Sequence, residues 1–119
     1  MRFDPELARR ILEDLEPITD GRPIWDYSVA SVDRTALMYH LRQLKLGGLI
    51  TGERNNNLGG LGFAPTDLTP AGHSFLAMAR DDTAWGKALA VAKGGGTQAV
   101  GAVYGALLAT VLRGIGLAP

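Results

Sequence analysis

At 119 residues with no cysteine, the chain has room for one domain, or a small domain plus an appended element, and cannot form a disulfide, a thiolate nucleophile or a cysteine-based zinc site. Twelve basic and twelve acidic residues cancel, which excludes a generic polyanion binder held by bulk charge. Hydrophobic content of 46% and charged content of 20% describe a folded chain rather than a disordered one.

The opening predicts a helix. Asp4 is the candidate N-cap, Pro5 suits the first helical position, and Glu6 places a negative charge in the first turn. Leu7, Ile11 and Leu15 recur at i, i+4 and i+8, with Ala8 and Leu12 widening the stripe. Glu6–Arg10, Arg9–Glu13 and Arg10–Asp14 are i,i+4 pairs for the outer face, and Pro17 stops the helix. The segment 19–23 reads as a turn, and the aromatics of Ile24-Trp25-Asp26-Tyr27 suit a short strand.

Ser31 and Asp33 are both candidate caps for the next helix, which carries Leu37, Leu41 and Leu44 and ends at Gly47-Gly48. Leu49 to Arg54 predicts a strand, and Asn55 to Gly60 a loop tip. Leu61 to Leu68 returns as a second strand, expected at an edge because of Pro65. Thr69-Pro70 starts another helix, with Phe75, Leu76 and Ala79 on one face. Asp82 or Thr83 caps the next, which bears Trp85, Ala88, Leu89 and Ala92. Gly94 to Gly96 make a joint, and Thr97 caps a last helix running to about Leu112.

Helix, short strand, helix ending in Gly-Leu-Ile, then a hairpin, is the order of a winged helix-turn-helix. Tyr39 to Ile50 resembles a recognition helix running into the first wing strand, and Leu68-Thr69-Pro70-Ala71-Gly72 resembles the exit from the wing. Together with Arg80-Asp81-Asp82-Thr83-Ala84-Trp85, these markers run in one collinear order over nearly the whole chain. They are similar to those of the family called domain of unknown function twenty-five-thirteen, common in phages and prophages. The resemblance implies a winged-helix-like fold and a phage or mobile-element setting, and carries no functional residue over. The departure from a full helix-turn-helix is that only about fifteen residues, Pro17 to Ser31, lie between the first helix and the recognition-like helix, so the positioning helix is expected to be very short or missing. The fold expectation is therefore α+β, mainly α: a winged helix-turn-helix-like domain over residues 1–79, with a C-terminal helical extension over 80–119 that packs on it and mediates oligomerisation.

Catalysis finds little support in the residues. His40, beside the Leu37–Leu41–Leu44 stripe, reads as a packing or hydrogen-bonding histidine, and His73 takes the same reading. Asp81-Asp82 reads as acids at a helix N-terminus rather than a metal site, since no second acidic cluster accompanies them. Gly94 to Gly96 lack the Lys-Ser/Thr of a phosphate loop. The expectation is a non-enzyme with no cofactor and no metal.

Double-stranded DNA is the partner with a mechanism. Helical spacing puts Thr35, Tyr39 and Arg42 opposite the leucines, with Arg34 at the N-terminal end, Met38 and Lys45 on a flank, and Arg54 at the wing. Arg and Thr can read base edges, and Tyr and Lys can hold phosphates. The bland reading of the same residues is a solvated helix face with three cations. The rival partner is a host or phage protein, bound by a non-catalytic adaptor. The last helix pairs an apolar stripe with a small-residue face of Ala102, Gly105, Ala106 and Ala109, which suits close approach of a second copy, a homodimer. The uncharged run from Ala99 to Leu112 is shorter than the roughly 20 residues of a membrane span. With acids near the N-terminus in place of a signal peptide's apolar run, the expected location is cytoplasmic, the host's cytoplasm for a phage protein.

Overall fold

The computed structural model describes residues 3–18, 20–55, 62–94 and Gly105. Its elements are α1 (Pro5–Leu15), α2 (Arg34–Leu46), the antiparallel strands β1 (Ile50–Asn55) and β2 (Gly62–Leu68), α3 (Pro70–Ala79) and α4 (Asp82–Gly94). This is an α+β fold, mainly helical, whose order is that of a small winged-helix-like domain.

The caps are built as their residue types require. The Asp4 carboxylate accepts from the Glu6 amide at 3.0 Å ahead of α1, and Thr69 does the same for Gly72 ahead of α3. Of the two candidates for α2, Asp33 is the cap, accepting from the Ala36 amide at 2.9 Å, while Ser31 sits in a turn at φ +68°. For α4 the cap is Asp81, one residue earlier than expected. Its carboxylate accepts from the Ala84 amide at 3.0 Å and its carbonyl from the Trp85 amide at 2.8 Å. Asp82 is thus already in the first turn.

Two features differ from the expectation between α1 and α2. Ile24 to Tyr27 is a turn, not a strand, because the Tyr27 amide closes onto the Ile24 carbonyl at 3.3 Å. The Ile24 amide still makes one sheet-like bond, to the Pro65 carbonyl at 3.0 Å. Tyr27 is held through its hydroxyl, which donates to the Asp14 carboxylate at 2.9 Å, and Trp25 stays 40% exposed. No helix occurs between Leu15 and Arg34 among the described residues. A second turn, Val32 amide to Val29 carbonyl, stands where a positioning helix would, and buried Val29 plugs the core there.

The exit of α2 is fully determined by hydrogen bonds. The Gly48 amide donates to the Lys45 carbonyl at 3.0 Å and the Leu49 amide to the Leu44 carbonyl at 2.9 Å. This is the paired arrangement that ends a helix with one left-handed residue, and Gly48 supplies it at φ +77°. The chain enters β1 two residues later. Ile50 pairs with Leu68 and Arg54 with Phe63, with a register shift after Thr51 that leaves Gly52 opposite Pro65. Pro65, which has no N–H to give to a ladder, is therefore tolerated within β2 at the irregularity. A Cβ at Gly52 would overlap the Phe63 ring and the Ala64 carbonyl.

One core joins all four helices. Ile11, Leu12 and Leu15 of α1 meet Leu37, Leu41 and Leu44 of α2, Phe75 and Leu76 of α3, and Trp85 and Ala88 of α4. Trp85 is 4% exposed, edge-on to Phe75 with centroids 6.1 Å apart. Its indole N–H donates to Glu6 at 2.8 Å, which takes the place of the expected Glu6–Arg10 pair, while Arg9–Glu13 and Arg10–Asp14 form at 3.1 and 3.3 Å. Across α1 and α3, Arg80 pairs with Glu16, and the guanidinium holds that carboxyl below the usual range. His40, 3% exposed, accepts from the Asp4 amide at 2.8 Å through Nε2 and shares a 2.7 Å hydrogen bond between Nδ1 and the Ala36 carbonyl. Its ring stacks on Phe3. His73, by contrast with the packing role expected of it, is exposed on α3.

The loop tip at 56–60 and the final helix expected from Thr97 to Leu112 lie outside the described residues, Gly105 apart. So do Ala102, Ala106 and Ala109 of the expected dimer contact. Gly105 is helical and exposed. Among the described residues no helix is long and apolar enough to cross a membrane, and no group of three or more acids or histidines could hold a metal ion.

Candidate nucleic-acid interface

Burial of Leu37, Leu41 and Leu44 turns the opposite side of α2 outward. Tyr39, Arg42, Gln43 and Leu46 follow at i, i+3, i+4 and i+7, so they form one stripe along the helix, with Lys45 beside it. The Gly47-Gly48 exit folds the hairpin back alongside this stripe. Arg54 shares a strand face with Ile50 and Gly52, while Glu53 takes the other face. Between helix and hairpin lies an open hollow of about 420 Å³, lined by Tyr39, Arg42, Gln43, Lys45, Leu46, Arg54 and Phe63.

Its chemistry is one-sided. Three cations line it and no carboxylate does. Arg42, Lys45 and Arg54 are exposed. Among the described residues the ion pairs are Arg9–Glu13, Arg10–Asp14 and Arg80–Glu16, all on α1 or just after α3, so none of the hollow's three cations is in one. The Lys45 ammonium stands 5.6 Å above the Phe63 ring, whose quadrupole attracts it, and the C-terminal turn of α2 also favours a cation. Phe63 forms a nearly buried floor, Tyr39 a half-buried wall, and Leu46, 80% exposed, the rim.

The structure brings together four of the six residues proposed from sequence: Tyr39, Arg42, Lys45 and Arg54. Arg34 and Thr35 are exposed on the first turn of α2 and do not line the hollow; Thr35 lies about 10 Å along the helix from Arg42. Met38, expected on a flank, is buried in the core. Gln43, Leu46 and Phe63 were missed. The signal for the first two was the i+4 and i+7 spacing from Tyr39. Phe63 required the strand register, which places it opposite Arg54.

The sequence profile of a family of hypothetical proteins, DUF2513, matches residues 2–98. The chain belongs to this family. The DUF2513 match covers α1 through α4, and so includes every residue of the hollow. No curated protein and no solved structure matches the chain.

Proposed function

We propose that this DUF2513 protein is a non-catalytic DNA-binding protein of the transcription-regulator kind, encoded by a phage or prophage and acting in the host cytoplasm as a homodimer. The observation that supports this reading is the convergence of Tyr39, Arg42, Lys45 and Arg54, from a helix and the hairpin that follows it, on one surface without a carboxylate. In a chain of zero net charge, long-range attraction is weak, so affinity must come from such a local cluster. Binding of a mixed-sequence DNA duplex at low salt, followed by gel shift or fluorescence anisotropy, tests it. The affinity must fall steeply as salt is added, because each neutralised phosphate releases counterions. Absence of binding at low salt, or binding indifferent to salt, would falsify the reading.

The second reading is a non-catalytic adaptor for a host or phage protein. It is favoured by Leu46, a large apolar side chain 80% exposed at the rim of the hollow. A protein complex abolished by Leu46→Glu, in a chain that does not bind DNA, would establish it.

A further inference from the structure

We propose that the hollow between α2 and the hairpin holds the sugar-phosphate backbone of the bound nucleic acid, with Arg42, Lys45 and Arg54 as phosphate ligands and none of them reading a base. This rests on the nucleic-acid reading above and assigns Arg42 a task different from the base-edge contact its residue type allows. The argument is one of shape. Base edges lie at the bottom of a major groove about 8.5 Å deep, so only a convex part of a protein reaches them. Arg42 and Lys45 instead border a concavity whose other wall carries Arg54. A concave site receives a ridge, and the ridge of a nucleic acid is its backbone.

The lining matches that ridge in kind. Cations share the lining with apolar surface from Tyr39, Leu46 and Phe63, and the backbone offers both anionic phosphates and the largely apolar faces of sugars. The Gln43 amide adds a neutral donor on the same wall. The N-terminal end of α2 is different. It carries one exposed cation, Arg34, next to the capping carboxylate of Asp33, and Thr35 adds an exposed neutral hydroxyl. Base reading, where it occurs, belongs to that end, and the hollow binds without regard to sequence.

The test measures the slope of log affinity against log salt, for a mixed-sequence DNA duplex, for each of its separated strands and for polyglutamate. Wild type is compared with Arg42→Gln, Lys45→Gln, Arg54→Gln and the triple variant. All three positions are exposed, and a circular-dichroism melt checks that each variant is folded. Loss of three phosphate contacts lowers the slope by about 2.7 on a duplex and about 2.1 on a single strand, and the form whose slope falls by its full share is the one that occupies the hollow. Each single variant weakens binding by the same factor on duplexes of different sequence, whereas Arg34→Gln and Thr35→Ala change the ratio between sequences. An Arg42→Gln protein with altered base preference, or a folded triple variant with the wild-type slope, overturns the assignment while leaving nucleic-acid binding intact. A wild-type chain that binds polyglutamate but neither form of DNA overturns the parent reading instead.

Discussion

Trp85→Ala separates a helix that belongs to the folded unit from one that merely leans on it. The indole is nearly fully buried, and three contacts tie α4 to the rest: the edge-on Phe75 ring, the Glu6 carboxylate at 2.8 Å and the Arg9 guanidinium 5.3 Å above the ring. The aromatic pair is worth about 0.5–1.5 kcal/mol and the cation–π contact about 0.5–1 kcal/mol. The hydrogen bond to a carboxylate would bring about 1.5–3 kcal/mol if buried, but Glu6 is exposed, which reduces it to about 1 kcal/mol. With the cavity left by the ring, the total reaches about 3–5 kcal/mol. Domains of this size have about 5–15 kcal/mol to lose. Urea unfolding followed by far-ultraviolet circular dichroism avoids interference from Trp25, the other indole. The expected result is a large fall in midpoint with an unchanged denaturant slope. Trp85→Phe, which keeps a ring against Phe75, should lose only about 1–2 kcal/mol. A Trp85→Ala loss below about 1 kcal/mol would refute the view that α4 shares the core.

Three further outcomes are expected. Burial first, and then the Asp14 acceptor, hold the Tyr27 phenol well above its ordinary value, so the folded state keeps that proton more tightly than the unfolded one. Its contribution is complete at neutral pH and is lost as pH climbs above about 10; in urea titrations Tyr27→Phe should flatten that alkaline decline, and an unchanged decline would refute the assignment. The Asp4 amide can only donate to His40 Nε2, so Nδ1 carries the proton and donates to the Ala36 carbonyl; long-range nitrogen-15 NMR should find that tautomer, and a proton on Nε2 would contradict the contact. Gly52→Ala should cost about 1–3 kcal/mol through its collision with Phe63 and the Ala64 carbonyl, and a variant as stable as wild type in urea would mean that the floor of the hollow is not packed this way.

What was legible in the sequence was local. The caps at Asp4, Asp33 and Thr69, the leucine spacing of α2 and the Gly-Gly exit each act within a few residues, and their effects could be read directly. Ile24 to Tyr27 was misread because its aromatics serve tertiary contacts: Tyr27 reaches back to Asp14 rather than across a ladder. The third i,i+4 pair of α1 was lost for a similar reason. Glu6 found an indole 79 residues away, a partner no local pattern announces. The cations of the site could be named from helix periodicity, but not their meeting with Phe63. That depends on a register shift after Thr51, whose only sequence sign is a proline in a strand.

The left-handed turn at Gly48 has a consequence for how tightly the hollow can hold a ligand. Only Gly47 to Leu49 separate the last residue of α2 from the first of β1, and the amides of all three donate to carbonyls of α2, which fixes their path. The angle between helix and hairpin is therefore set in the free protein, before anything binds. Arg42 and Arg54, although on different elements, stand opposite one another without a domain closure. A ligand then bears the ordering cost of the side chains alone, not of the backbone that carries them. A longer or looser connection with the same cations would present the same charge and bind more weakly, because the wall carrying Arg54 would have to be immobilised with each encounter.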